Sequence, residues 1–390
     1  MTTRDPIFDN LPAMLKQVKT ANPLPKAEGK IVHVSTPWDI VHAIEDAEEN
    51  STIIIAKGRY VMPRDTILST HHVTIRGETG NREDVILDGD TEFDDQYVRL
   101  GTRLMSGTVR APAILKLTRC RHVTIADVTF ANSPKYGIMY VGDSRVHHLT
   151  IHNVKFHNCW ARGFKGTGTS RIDHMPFTKE ELGYDPTAQE HIEWNRPRHG
   201  IVRHCLFIND HIKRNDDDGF DGDYLAGMDV MGIKEFHVHD NVFVGIRGKN
   251  GGGRGSIFIW INAEDVIVEN NLFMHCDKAI SLGNPSGPEW DISNSVVRNN
   301  TIVGGSNKGI EIQHGDNIDV HDNRICSSDR KEFHAIQIQD IHNKARVYNN
   351  IIQTDPMDTF NCCDAVEIGE NKIGDFINEF KDIESGDLRM

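Results

Sequence analysis

The sequence predicts an all-β chain wound into a parallel β-helix, a single solenoid of stacked three-sided coils. Three observations carry this. A nine-residue line recurs eight times, asparagine holds one position in five consecutive lines, and a short strand opened by a small residue follows each line.

The lines are His122–Phe130, His148–Phe156, His199–Phe207, Glu235–Phe243, Asp265–Phe273, Asn294–Ile302, Asn317–Ile325 and Lys344–Ile352. Each alternates apolar and polar residues, turns through a polar pair, and ends on Phe or Ile. Period-two alternation marks a strand with one buried face. The final residues lie 26, 51, 36, 30, 29, 23 and 27 apart. All but the second gap suit one turn of a repeat architecture.

Position seven holds Asn241, Asn271, Asn300, Asn323 and Asn350. Asparagine tolerates the left-handed backbone of a tight bend. Stacked in register, its amides can bond one another in a ladder.

The second strands are Gly137–Val141, Gly163–Thr167, Gly227–Met231, Ser256–Trp260, Ala279–Gly283, Gly309–Gln313, Ala335–Gln339 and Ala365–Gly369. Their second and fourth residues are mostly apolar and point inward; the third and fifth point outward. Earlier, Ser51–Ala56 and His72–Arg76 start the coils, and Asp39–Glu49 reads as a helix with Ile40, Val41 and Ile44 on one face.

With these repeats the chain resembles the right-handed parallel β-helix proteins of the pectin-lyase-like superfamily, over roughly Ile31–Gly369. The resemblance implies a helix that caps the open N-terminal end of the solenoid, blunting an exposed edge. It also implies a carbohydrate-active protein, whose lyases use basic residues and often calcium. No intact signature of a named lyase family occurs. The Asp-Pro-His-Glu/Asp motif of the related alginate epimerases is absent; Gly163–Thr167 stands where it would be sought. The expected organisation is a solenoid over 31–369 with a long insertion, 168–226, over its groove. Residues 1–30 form an N-terminal tail or contact segment, and 370–390 a C-terminal tail.

Composition narrows the partners. Among 390 residues the formal net charge is −14, which argues against a nucleic-acid footprint, since that needs a concentrated basic face. No run of about 18 apolar residues suggests a membrane span. The seven cysteines include no Cys-x-x-Cys pair, so a zinc framework has no support. Free thiols and the lack of an apolar leader suit a cytoplasmic protein. A mature form cut from a secreted precursor would look the same.

Chemistry is expected beside the insertion. The outward third positions place Lys165, Asp229 and Glu311 in one row, with Trp260 on the row beside it, at about 4.8 Å per coil. An exposed Trp beside charges suits a sugar ring; the alternative is a Trp packed beneath the insertion. Trp194 and Arg171 in the insertion join Trp260 and Glu311 as candidate substrate contacts. Asp216, Asp217, Asp218, Asp221 and Asp223 crowd into eight residues. They suit calcium, a hard ion that takes oxygen ligands, or form a solvated acidic loop, or supply a catalytic pair. The glycine-rich Gly245–Ser256 reads chiefly as a flexible turn, with Arg254 able to meet a carboxylate at the groove edge.

Three functions follow. The first is a lyase cleaving a uronic-acid-containing oligo- or polysaccharide by β-elimination, with Lys165 as base, Asp229 beside it, Arg254 or Arg171 on the uronate, and calcium on the Asp cluster. The second is a glycoside hydrolase working through paired Asp carboxylates. The third is a non-catalytic glycan-binding solenoid.

Overall fold

The computed structural model describes residues 6–90, 113–133, 135–168, 176–211, 220–284, 291–327, 334–354 and 360–390. The lines and the short strands stack as read, forming a three-faced solenoid in which every pairing of strands is parallel. The first half of each line builds the first face, the second half builds the second, and the short strand builds the third. Lys308–His321 rounds a corner and serves both the third and the first face.

Alternation sets the core. Phe130, Phe156, Phe207, Phe243 and Phe273 stack in one column, with centroid spacings of 5.7, 4.6, 4.6 and 4.9 Å. Ile302, Ile325 and Ile352 continue it, each fully buried. The asparagine column is a ladder. Asn241 Nδ2 donates to Asn271 Oδ1, Asn271 to Asn300, Asn300 to Asn323 and Asn323 to Asn350, each at 3.0 Å. Asn371 adds a further rung at 2.9 Å. Each amide also donates to a backbone carbonyl of the neighbouring coil, as Asn300 does to Val268 at 2.9 Å. This satisfies buried polar groups that would otherwise cost about 1–3 kcal/mol each.

The left-handed bend sits one residue earlier than expected. Position six, not seven, takes positive φ in all eight lines, between 53° and 59° from Asp127 to Asn349. Asp, Asn and His fill that position because short polar side chains tolerate this backbone. Position seven is left free to turn its amide inward.

The N-terminal cap is a helix at Pro37–Glu45. Thr36 accepts the Asp39 N–H and Pro37 opens the first turn, two signals that start a helix earlier than the apolar stripe alone indicated. Ile40, Val41 and Ile44 are buried against the first coils.

Residues 6–29 are a strap and not a loose tail. Phe8 and Met14 pack on the outer side of the second face against Leu206, Val242, Val244 and Leu272. Further along, His152 Nε2 lies 2.9 Å from the Asn22 carbonyl, and Arg76 donates to Pro25 at 2.8 Å. The C-terminal segment crosses the same face, with Phe380 and Leu388 on Val303 and Cys326. Asn10 joins it through Glu384 at 2.6 Å.

The long gap contains a complete coil. After Arg162–Gly166 the chain makes helices Pro176–Leu182 and Ala188–Asn195, then returns through Ile201–Arg203 and Leu206–Ile208 to pair normally with both neighbouring coils. The span 168–226 is therefore two excursions separated by solenoid. Ala365–Gly369 departs from expectation. Phe360–Cys362 continues the third face instead, and Val366–Ile368 lies on the first, paired with Ala345–Tyr348. Among the described residues no helix is long and apolar enough to cross a membrane.

Candidate functional site

The register of the third face puts Lys116, Met139, Lys165, Asp229, Phe258, Ser281, Glu311 and Gln337 in one outward row. A second row, three residues earlier in each strand, holds Arg162, Lys278 and Lys308. At the other edge, Met231 pairs with Trp260.

The centre is a buried ion cluster. Arg162, Lys165 and Asp229 are 1%, 4% and 1% exposed. Arg162 Nε donates to Asp229 Oδ2 at 2.8 Å. Lys165 Nζ lies 2.9 Å from the same oxygen, close enough for an ion pair but outside hydrogen-bond angles. Trp260 Nε1 donates to Asp229 Oδ1 at 3.1 Å. Arg162 also donates to the carbonyls of Ala161 and Tyr224, at 2.9 and 3.0 Å, and its guanidinium stacks 4.1 Å from the Tyr224 ring.

This geometry sets the charges. Burial pushes the Asp229 carboxyl up, but Lys165 and Arg162 outweigh it and hold the group at about 2. Burial pulls Lys165 down to about 8; Asp229 opposes that shift, while Arg162 and Lys135 add to it. A buried, shifted lysine with specific charge partners is the kind of group that catalysis uses.

Around the cluster runs an aromatic and cationic wall. Arg254 lies 5.1 Å from the Phe258 ring and 5.6 Å from the Phe220 ring. Phe258 stacks on Trp260 at 5.3 Å, and Phe220 on Tyr224 at 5.0 Å. Trp260 is thus half-buried and bonded to Asp229. Burial lowers Arg254, and Arg162 lowers it further. Lys135 is likewise lowered, first by burial and then by Lys116 and Arg162.

Several expected contacts are engaged elsewhere. Glu311 is gripped by Lys278 and Lys308, both at 2.8 Å, and by Ser281 at 2.9 Å. Burial pushes its carboxyl up, but the two lysines hold it at about 2, so it anchors ammonium groups and does not face a sugar unpaired. Trp194, expected as a substrate contact, has other partners. It stands on Ala188–Asn195, with Arg145 3.7 Å over its ring and Glu181 accepting its Nε1–H at 3.0 Å. Those contacts tie the helices to the Gly142–Ser144 turn.

Arg171, Asp216, Asp217 and Asp218 lie outside the described residues. Asp223 accepts the Asn250 N–H at 3.0 Å, and the Asp221 carbonyl accepts Asn250 Nδ2 at 2.6 Å. These two bonds hold the acidic turn against Gly245–Ser256.

Arg162, Lys278, Lys308 and Tyr224 escaped the sequence reading. The first three share a signal: each stands one place before the small residue that opens its strand, at Gly163, Ala279 and Gly309.

A family model described as periplasmic copper-binding protein (NosD) matches residues 193–367, under half of the chain. Among solved structures, the chain is similar to a GH136 lacto-N-biosidase from Eubacterium ramulus, at 12% identity and TM-score 0.52, covering 89% of this chain and 68% of that one. It is similar to an exopolygalacturonase from Thermotoga maritima at 11% identity and TM-score 0.50, covering 93% and 96%. An alginate lyase from Paenibacillus sp. aligns at 10% identity and TM-score 0.42, covering 88% and 99%. No curated protein matches.

The described residues do not fit a copper centre. They gather no group of three or more His, Cys, Asp or Glu side chains around a common point. His72, His122, His148 and His199 stack face to face, with centroids 4.5, 4.2 and 4.6 Å apart. Burial pushes the Cys120, Cys159 and Cys205 thiols up to about 12, away from the thiolate that a metal takes. The chain shares a parallel β-helix fold with the biosidase and the exopolygalacturonase.

Proposed function

We propose that this chain is a carbohydrate-active lyase that cleaves a uronic-acid-containing glycan by β-elimination. The observation that carries this reading is Lys165, a buried amine 2.9 Å from Asp229 Oδ2 that burial brings down to about 8. In this reading Lys165 takes the proton next to the uronate carboxylate. The C–H electron pair becomes a C=C bond, the C–O bond to the neighbouring sugar breaks, and the leaving oxygen takes up a proton. Arg254 and Arg162 offset the charge that gathers on the uronate as the proton leaves, the role of fixed cations in a low-dielectric site. Asp229 keeps Lys165 and Arg162 in place. Lys165 is 4% exposed, so a glycan reaches it by displacing the side chains that stand over it.

Hydrolysis is the second reading. It needs a carboxyl group kept protonated as the acid. Asp229 and Glu311 are both held at about 2 by lysine or arginine partners, which favours elimination. The third reading, a glycan-binding solenoid, keeps the aromatic wall and gives the ion cluster a purely structural role.

The test incubates the full chain with uronate oligosaccharides, with and without calcium because Asp216–Asp218 lie outside the described residues. It follows ultraviolet absorbance of an unsaturated product alongside new reducing ends. Absorbance that rises in the wild type and is lost in Lys165→Ala supports elimination. Reducing ends without absorbance move the reading to hydrolysis. Silence in both, with oligosaccharide still bound, favours the binding module.

A further inference from the structure

The loop between Val244 and Ser256 is glycine-rich because its backbone passes between two carboxylates. Asp277, 1% exposed, faces it from the solenoid. Its Oδ2 accepts the N–H groups of Gly248 at 2.7 Å and Gly253 at 3.0 Å. Ser306 Oγ lies 2.6 Å from Asp277 Oδ1 and 3.1 Å from the Gly251 carbonyl. From the other side Asp223 Oδ1 accepts the Asn250 N–H at 3.0 Å, and Lys249 N–H donates to the Gly222 carbonyl at 3.0 Å.

A Cβ at Gly248 would stand 2.2 Å from Asp223 Oδ1, one at Gly252 2.5 Å from Asp223 Oδ2, and one at Gly253 3.0 Å from Asp277 Oδ2. Only glycine lets the backbone come this close. The next residue is Arg254. Its N–H donates to the Leu225 carbonyl at 2.9 Å, and its guanidinium is set between Phe220 and Phe258.

We propose that Asp277 is a positioning residue for Arg254. Its carboxylate gathers the loop from beneath, so that the loop delivers the guanidinium to the wall beside Asp229 and not to solvent. The consequence for substrate rests on Arg254 being the uronate partner, as read above. The placement of Arg254 itself does not depend on that reading.

The test uses the full chain with Asp277→Ala, Asp277→Asn, Ser306→Ala, Arg254→Ala and the double variant Asp277→Ala/Arg254→Ala. Phenylglyoxal labelling of Arg254, read by peptide mass spectrometry, reports placement without reference to activity. Labelling is slow in the wild type and on the order of 10-fold faster in Asp277→Ala, as for a segment released by local opening. Asp277→Asn stays slow, because its amide oxygen still accepts both glycine N–H groups while its NH2 faces Ser306 Oγ.

Trigalacturonate is the binding probe. Asp277→Ala and Arg254→Ala each raise KM or Kd by on the order of 10-fold to 100-fold. The double variant is no worse than Arg254→Ala, and kcat falls in both single variants, because Arg254 offsets charge that develops as the proton leaves. A general loss of structure in Asp277→Ala would instead make the double variant worse than Arg254→Ala.

Unchanged labelling in Asp277→Ala, or losses that add in the double variant, overturns the proposal. Should Asp277→Ala not fold, Ser306→Ala is expected to speed labelling in the same direction by a smaller factor, and no change there overturns it equally. Should wild type fail to bind trigalacturonate, the uronate reading falls, and the labelling comparison alone decides the role of Asp277.

Discussion

Asp229 Oδ2 sits 2.8 Å from Arg162 Nε and 2.9 Å from Lys165 Nζ, so one buried oxygen faces two cations from the preceding coil. Removing that carboxylate strands both charges where water does not reach them. Asp229→Ala is therefore expected to cost about 3–5 kcal/mol of stability, the range for breaking a buried ion pair from one side. Asp229→Asn, which keeps an acceptor for Arg162, costs less. Urea unfolding of the two variants checks both the size and the order.

The same pair fixes a pH dependence. Lys165 stands at about 8, and Asp229 is the partner that raises it. If the neutral amine is the base, the rate climbs with pH through about 8. In Asp229→Asn the loss of the anion lowers Lys165, so the climb moves to lower pH. A pH–rate profile of the two proteins shows a leftward shift, and a profile that does not move separates Lys165 from the titration.

The asparagine ladder is a stability element. Asn300 receives from the backbone and side chain of Asn271, and donates to Val268 and Asn323. Asn300→Ala leaves Asn271 without two acceptor contacts in a dry core. The expected cost is about 2–3 kcal/mol, measured as a shift in urea midpoint with an unchanged m-value.

Much of this was legible in the sequence. Phe, Asn and small residues repeat at fixed positions because each coil rests on the last, so a residue's place in the line is also its place in space. The row through Lys165, Asp229 and Glu311 followed from that alone. What connects across the rows was not legible. Arg162 precedes the residue that opens its strand, and its bond to Asp229 depends on a coil 67 residues away. The acidic turn read as a charge cluster, yet its aromatic residues Phe220 and Tyr224 make the wall, and Asp223 is spent on a backbone N–H. Trp194 carried the same composition signal as Trp260 but faces Arg145, because the helices fold toward the Gly142–Ser144 turn.

Acid should loosen the strap. His152 Nδ1 accepts from Arg203 Nε at 3.1 Å while Nε2 faces the Asn22 carbonyl. Burial, and then the charge of Arg203, pull this imidazole from 6.5 down to about 4, against the opposing bond to Asn22. The unfolded chain therefore takes up a proton there between those values while the folded chain does not. The sign is that stability is held above pH 6.5 and falls as the pH drops toward 4. The urea midpoint should decline across that window, and His152→Leu should flatten the decline.

Phe8 anchors the strap with no exposed surface. Phe8→Ala should cost about 3–5 kcal/mol, as for other buried aromatic truncations. Limited proteolysis should then cut within the first 29 residues before any solenoid strand.

The most direct measurement is the ultraviolet absorbance of wild type and Lys165→Ala with uronate oligosaccharides, read beside reducing-end formation. The account predicts a rising absorbance in the wild type that is lost in Lys165→Ala while the variant's unfolding midpoint shows it still folded. Reducing ends released without absorbance, or absorbance that survives the loss of Lys165, would contradict it.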